Sequence, residues 1–402
     1  MPTVVKRRKE DIDIDRQQAS NLKRDRFRLT HGPSWQGVGA FHREDRVMVF
    51  HVEYPRVIPA RKPLGHEPAA PRYTLRWQNP VETMVSEYYG VQKAGLNRDE
   101  QFEFFKQVEV SLTDPDGPAA HEIMRFTDEA GETNAVVVAY WLDATRHARW
   151  SQAAEFPQWF SAPARCSAGP VGYWRETIAV PYDRHETIYS APNYRIGLAR
   201  TPGSSIESMT TNGYFGAARD RIPISAIDPL ESPLVGAPPK PREITSRGRR
   251  LRVATPHNMT ALRSGQLWAG AGTEQNEDYL QNLQPKLMRG MNHLLDHKGE
   301  TGTLALRVMT NLNNDGTDRA ETSVLAYFLS LGQLEDWAKS HETHLDIYRH
   351  AIAMNRKFKE KREVVTWHEV FIMPATVSFE YVNCHPKTGV LPYFELLEPR
   401  SA

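Results

Sequence analysis

The chain has 402 residues, with 50 basic and 49 acidic side chains and a net charge of +1, so bulk charge favours neither nucleic acid nor an anionic membrane as partner. With 40% hydrophobic and 25% charged residues the make-up is that of a globular protein of two or three units, and no apolar run approaches the ~18–20 residues of a membrane helix. Only two cysteines are present, Cys166 and Cys384, which excludes a disulfide framework or a four-cysteine metal site and fits a reducing cytoplasm.

Residues 1 to about 30 read as a solvated charged tail, "KRRK" included, with no apolar h-region of a secretory signal. The prolines of 55–80 predict an extended segment wrapping over the body, with dense structure beginning at 81. A strand is expected over 81–92, then a helix over 98–112 with Asn97 as its cap. "HEIMRFTDEAGETNAVVVAYW" (121–141) reads as two strands joined by a glycine turn, 144–160 as helical until Pro157, and 170–190 as strand. After Arg221 an apolar strand is expected, and 228–250 is a Pro- and Arg-rich connector. The second half repeats the order: strand 258–268, helix 276–297 despite Pro285, strand–turn–strand 303–328, helix 331–358, strand 363–373, strand 377–385.

A short echo accompanies the repeated order. "VVAYWLDATRHARW" (137–150) and "VLAYFLSLGQLEDW" (324–337) share Ala-Tyr-aromatic-Leu and a Trp ten residues after the Tyr. Two βαββαβ-like units follow, over 81–227 and 251–402, in an α+β chain whose residues 1–80 are tail and wrapping segment.

Three histidines crowd "SHETHLDIYRH". On a helical wheel opened by Ser340 as cap, His344 centres on the apolar arc of Leu345, Ile347, Tyr348, Ala351, Ile352 and Met354, His341 sits at its edge near the helix start, and His350 faces water. A histidine on an apolar face is either a core residue bonded to a carbonyl or an axial ligand of a buried cofactor. Zinc is disfavoured, because the H-E-x-x-H pattern needs histidines four apart and here the spacing is three. His368 in "VVTWHEVFIM" shares a strand face with Val364, Thr366, Val370 and Ile372. Ser264 lacks the G-x-S-x-G elbow of a serine hydrolase. Arg221 is either a pocket residue or a surface partner of Asp220. No nucleotide-binding glycine motif is present.

"GYFGAARDRIPIS" (213–225), "ALRSGQLW" (261–268), "WAKSHETHLDIY" (337–348), "WHEV" (367–370) and "EYVNCHPKTG" (380–389) together resemble the haem-containing aldoxime dehydratases, over about 80–395 in collinear order. The resemblance implies duplicated ferredoxin-like units of the dimeric α+β barrel type, haem b active in the ferrous state, and a homodimer. It assigns His344 as axial haem ligand and His368 as the catalytic acid and base. Ser264 and Arg221 assist it, and Glu186 of "HETIY" matches a further position implicated in activity. The implied reaction turns R–CH=N–OH into a nitrile and water, with the substrate nitrogen on ferrous haem and the leaving oxygen protonated by His368. Two features depart from the family: a long N-terminal segment and a charged insertion around "KFKEKRE" (357–363). The competing readings are a peroxidase-like or chlorite-processing haem enzyme on a related barrel, a non-enzymatic haem-binding protein, and a haem-free protein with packed histidines.

Overall fold

A computed structural model describes residues 49–375, 378–394 and 396–397; the expected N-terminal tail lies outside them. The first half contains β1 (Arg72–Trp77), β2 (Thr83–Lys93), α1 (Arg98–Glu109), β3 (Ala120–Thr127), β4 (Thr133–Trp141), α2 (Ala144–Ala153), α3 (Glu155–Ser161), β5 (Gly172–Pro181), β6 (His185–Tyr189), β7 (Ser204–Met209) and α4 (Ala217–Arg221). The second contains β8 (Arg250–Ala254), β9 (Met259–Leu267), α5 (Thr273–Asp278), α6 (Gln284–Asp296), α7 (Lys298–Thr301), β10 (Thr303–Leu312), β11 (Asp318–Phe328), α8 (Leu331–Ser340), α9 (Glu342–Phe358), β12 (Val365–Met373), β13 (Ser378–Val382) and β14 (Leu396–Leu397).

All the strands join one antiparallel sheet, in the order β14-β8-β13-β5-β2-β4-β3-β10-β11-β9-β12-β6-β1-β7. Two groups of four, β5-β2-β4-β3 and β12-β9-β11-β10, have the same internal order: fourth, first, third, second. They meet edge to edge where β3 pairs with β10. The ends of the sheet interlock the halves, because β6 pairs with β12 and β13 with β5.

Each group buries both faces. On the outer face of the first, Val85, Tyr89 and Val137 pack under Phe104, Trp150 and Phe156 of the helices. On that of the second, Val324, Ala326 and Ile372 pack under Leu287, Leu294 and Leu334. The inner faces share one core that also holds charge. Arg307 of β10 donates to Glu176 of β5 at 2.6 Å, and Tyr327 and Tyr381 donate to the same carboxylate at 2.9 Å each. Strands β5 and β10 are four places apart in the sheet, so this pair spans the interior and requires the sheet to curl upon itself. A second pair, Arg263 to Glu122 at 2.7 Å, links β9 to β3. A buried ion pair adds little net stability, but loss of one partner strands a charge. These pairs therefore fix how the two groups face each other.

The echo of 137–150 and 324–337 has a physical meaning. Tyr140 and Tyr327 end their strands pointing inward onto Glu122 and Glu176. Three residues on, Asp143 and Ser330 cap α2 and α8 through their side chains. A second correspondence is visible only in pairing. Gly90 of β2 lies opposite Trp174 of β5, and Gly265 of β9 lies opposite Trp367 of β12. A Cβ at Gly90 strikes the indole of Trp174; at Gly265 it meets the carbonyl oxygen of Thr322 at 2.5 Å and then Trp367 Nε1 at 2.8 Å.

Several expectations are corrected. Among the described residues the first strand, β1, lies inside the segment expected to wrap as far as residue 80. The helix after Asp143 breaks at Ala154, not Pro157, which sits in the first turn of α3 where no N–H is needed. The strand expected over 170–190 is divided by a 3₁₀ turn at Tyr182–Arg184. The apolar segment after Arg221 is a 3₁₀ turn, Pro223–Ala226, rather than a strand, since Pro223 has no N–H to give a ladder. Pro285 is accommodated by a π-turn at Tyr279–Leu283, and Asn97 closes a full capping box on α1.

Gly90→Ala and Gly265→Ala are each expected to cost about 1–3 kcal/mol through overpacking against tryptophan and, at Gly265, against the Thr322 carbonyl. The measurement is the denaturant midpoint at unchanged m-value.

Candidate functional site

The principal apolar cavity, about 420 Å³, lies between the outer face of the second strand group and α6, α8 and α9. That volume is typical of a small-molecule site. Leu262, Val324, Leu287, Met291, Ile347 and Ile352 supply apolar wall, and Ala69, Ala70 and Arg72 of the N-terminal strap border it. His344, His368, Ser264 and Arg221 all line it.

Strand β12 assembles the polar wall. It is bonded on both sides, with His368 directly opposite Ser264 of β9 and Ile188 of β6. Glu186 lies opposite Val370, one step along the same face. Its carboxylate, buried behind the cavity wall, accepts from Arg221 Nε at 2.6 Å through Oε2 and meets His368 Nε2 at 2.8 Å through Oε1. Arg221 is tethered further by Nη1 donating to the carbonyl of Thr211 at 2.9 Å, and its Nη2 stands 3.3 Å from His368 Nε2. One ring nitrogen cannot donate to Glu186 and accept from Arg221 at once. The shorter contact to a carboxylate takes the proton, and the Arg221 approach is a charge contact. Burial by itself raises the Glu186 pKa; the charges of Arg221 and His368 and the hydrogen bonds of both outweigh it and bring it down to about 2. Ser264 makes no side-chain hydrogen bond among the described residues, so its hydroxyl is free toward the cavity.

His344 arrives from the other side of the chain's logic, a helix junction. His341, with ψ of 131°, ends α8 and caps α9, its ring accepting from the N–H of Thr343. Ser340, expected as the cap, is instead the last residue of α8 and bonds back to the Asp336 carbonyl. The Trp337 indole donates to Thr343 at 3.3 Å and meets the His344 ring edge-on, centroids 4.8 Å apart. His344 is thereby aimed into the cavity, and its buried Nδ1 has no partner of full hydrogen-bond geometry, the Ala338 carbonyl being the acceptor nearest the ring. The Ala338 carbonyl is near enough to favour the protonated ring, yet burial, helped by the charge of His368, holds the His344 pKa below its ordinary value. A neutral imidazole with an unshared nitrogen on an apolar cavity is the donor an axial haem ligand requires. The residues present therefore fit a haem.

The other two histidines are bystanders to the cavity, but one was misplaced by the wheel. His350 does not face water: its Nε2 meets Asp278 at 2.8 Å and its Nδ1 meets Lys286 Nζ at 3.1 Å. The α5–α6 segment covers the side of α9 that a single-helix wheel leaves to solvent. His341 stacks on His293, centroids 3.7 Å apart. No group of three His, Cys, Asp or Glu among the described residues is placed to hold a metal ion. The strap residues bordering the cavity carried no motif and had no signal in the sequence.

A family model described as haem-containing dehydratase matches residues 87–390. The chain is 32% identical to the phenylacetaldoxime dehydratase of Bacillus sp. (strain OxB-1), over 84% of this chain and 95% of that one. It is 33% identical to the aliphatic aldoxime dehydratase of Pseudomonas chlororaphis, over 85% and 96%. A solved aldoxime dehydratase in complex with butyraldoxime superposes with a TM-score of 0.79 at 29% identity, over 87% of this chain and 96% of that one. With a matched region that contains both strand groups and every residue facing the cavity from them, the chain belongs to the haem-containing dehydratase family.

Proposed function

We propose that the chain is a haem-dependent lyase that dehydrates an aldoxime, R–CH=N–OH, to a nitrile and water. The observation that carries this reading is the Glu186–His368–Arg221 cluster on the wall of an apolar cavity that also presents His344. Support comes from the family membership and from relatives named for acting on aryl and alkyl aldoximes.

His344 would hold the haem through its unshared ring nitrogen. A bound ferrous haem b would supply electron density to the N–O bond of the oxime. The rest falls to side chains. The oxime oxygen leaves as water only if protonated as the bond breaks, and the carbon must lose its own proton. One group that gives a proton and then takes one closes the cycle, and His368 is that group. Glu186, ionised at neutral pH, fixes the ring through Nε2 at 2.8 Å, and Arg221 stands 3.3 Å from the same nitrogen, which leaves the other ring nitrogen for the substrate. The free hydroxyl of Ser264, cross-strand from His368, orients the oxime OH. The apolar walls take the hydrocarbon and exclude water.

The repeated strand order supports two ferredoxin-like units, over 81–227 and 251–402 with the 228–250 connector between them, of the dimeric α+β barrel type. We extend the reading to a homodimer in the cytoplasm acting on small molecules, without nucleic-acid or membrane partners. Among the described residues no helix is long and apolar enough to cross a membrane.

His344→Ala is expected to lose the Soret band of the purified protein. His368→Ala is expected to keep the band and lose nitrile formation by about 10²–10⁴-fold; near-normal turnover in that variant would falsify the acid–base role. Ser264→Ala should give a smaller, partial loss, and unchanged rates would remove Ser264 from the site. The folded pKa of Glu186 lies below the ordinary 4.5, so its stabilising contribution is complete above that pH and fades as pH falls toward 2. Glu186→Gln, which leaves Arg221 unpaired, should cost about 3–5 kcal/mol at neutral pH. The gap to the native protein in denaturant midpoint should narrow on acidification.

A further inference from the structure

Buried arginines in this protein meet carboxylates: Arg221 meets Glu186, Arg263 meets Glu122, Arg307 meets Glu176 and Arg219 meets Glu335. Among the half-buried arginines that do not are two near the cavity, one on its wall and one behind it, bonded to the carbonyl of Ala351. Arg72, at the start of β1, lines the cavity, and the contact its guanidinium makes is to the neighbouring Pro71 carbonyl at 2.7 Å. Arg362 belongs to the charged stretch 357–363 that follows α9. After α9 the backbone reverses at Lys359, whose φ is +50°, and a 3₁₀ turn at Lys359–Lys361 follows. This folds Arg362 back along the helix, where Nη1 donates to Asn355 and, at 3.5 Å, to the carbonyl of Ala351. Ala351 itself borders the cavity. The remaining nitrogens of Arg362, Nε and Nη2, are buried with no partner.

The two cations also sense each other. Burial lowers the pKa of Arg72. Burial, then the charge of Arg72, brings Arg362 down to about 10, against the pull of Asp278. Asp278 is committed to His350 at 2.8 Å and lies within ion-pair distance of neither arginine. Two neighbouring guanidinium groups without a counter-charge are costly in a half-buried setting unless a bound anion completes them, and guanidinium is the side chain suited to carboxylate.

We infer that Arg72 and Arg362 form a carboxylate clamp at the rim of the cavity, holding the two propionates of the haem that His344 ligates. The inference rests on the haem reading above and deepens it. It assigns a role to the N-terminal strap and to the 357–363 stretch, which carry none of the family's motifs. Ala351 lies seven residues from His344 on one helix, about 10 Å along its axis, so the ligand nitrogen and the clamp address different parts of one large ligand.

The test is haem affinity of the full chain, read by Soret titration and by the rate of transfer to apomyoglobin, using haem b and its dimethyl ester. The native protein should bind the free acid at least about tenfold tighter than the diester, the scale of one or two charge-assisted hydrogen bonds. In Arg72→Gln/Arg362→Gln this preference should vanish and haem should leave faster, with Arg362→Lys intermediate. Equal binding of the two haems by the native protein overturns the clamp without any variant having to fold. A full preference retained in the double variant also overturns it, as expected if these arginines face a carboxylate on the substrate. Absence of a Soret band in the native protein is a different result, and removes the haem reading along with the clamp.

Discussion

The register of β12 is the constraint on which the site depends. This strand is hydrogen-bonded along both edges, to β9 and to β6, and alternate residues face opposite sides. His368 and Val370 face the cavity, while Trp367 and Glu369 face the inner core. A slip of one residue would exchange them. Glu369 guards against that slip, because its buried carboxylate accepts from the N–H of Leu198 at 2.8 Å and lies opposite Arg263. Gly265 guards it too, as the position that leaves room for Trp367.

From this register the electrostatics follow. Glu186 and His368 come from different halves of the chain and meet because β6 leaves its own group to pair with β12. Arg221 reaches them from the end of a five-residue helix. The carboxylate between them stays ionised because two cationic partners offset its burial. The same pattern recurs in the inner core, where Arg263 and Arg307 are matched by Glu122 and Glu176. The fully buried arginines of the core are those whose carboxylate partner is supplied.

Much of this organisation can be read in the chain. Asn97, Asp143 and the glycine turns announce local structure, because a cap or a turn needs only neighbours within a few residues. The Ala-Tyr-aromatic echo marks a strand ending on an inward tyrosine followed by a capped helix, so the repeated strand order is legible. A second signal, "GYWRE" (172–176) against "VTWHE" (365–369), marks the tryptophans that face Gly90 and Gly265, and it gains meaning only once the pairing is known. The wheel placed His344 correctly because one apolar neighbour face governs it. It misplaced His350 because a second neighbour, α5–α6, packs on the other side. Ser340 yields the cap to His341 because the chain breaks one residue later than the serine suggests.

The sequence by itself determined the order of elements within the two strand groups, the family and the identities of the chemical groups, since these depend on short-range patterns and on motifs. Only the tertiary structure decided which groups meet. That Glu186 lies against His368, that Ser264 faces it across a strand pair, and that Arg72 of the first half comes near Arg362 of the second are consequences of pairing between segments far apart in the chain. No local pattern encodes such pairings, because they are set by the burial of both sheet faces and the matching of charges across the interior.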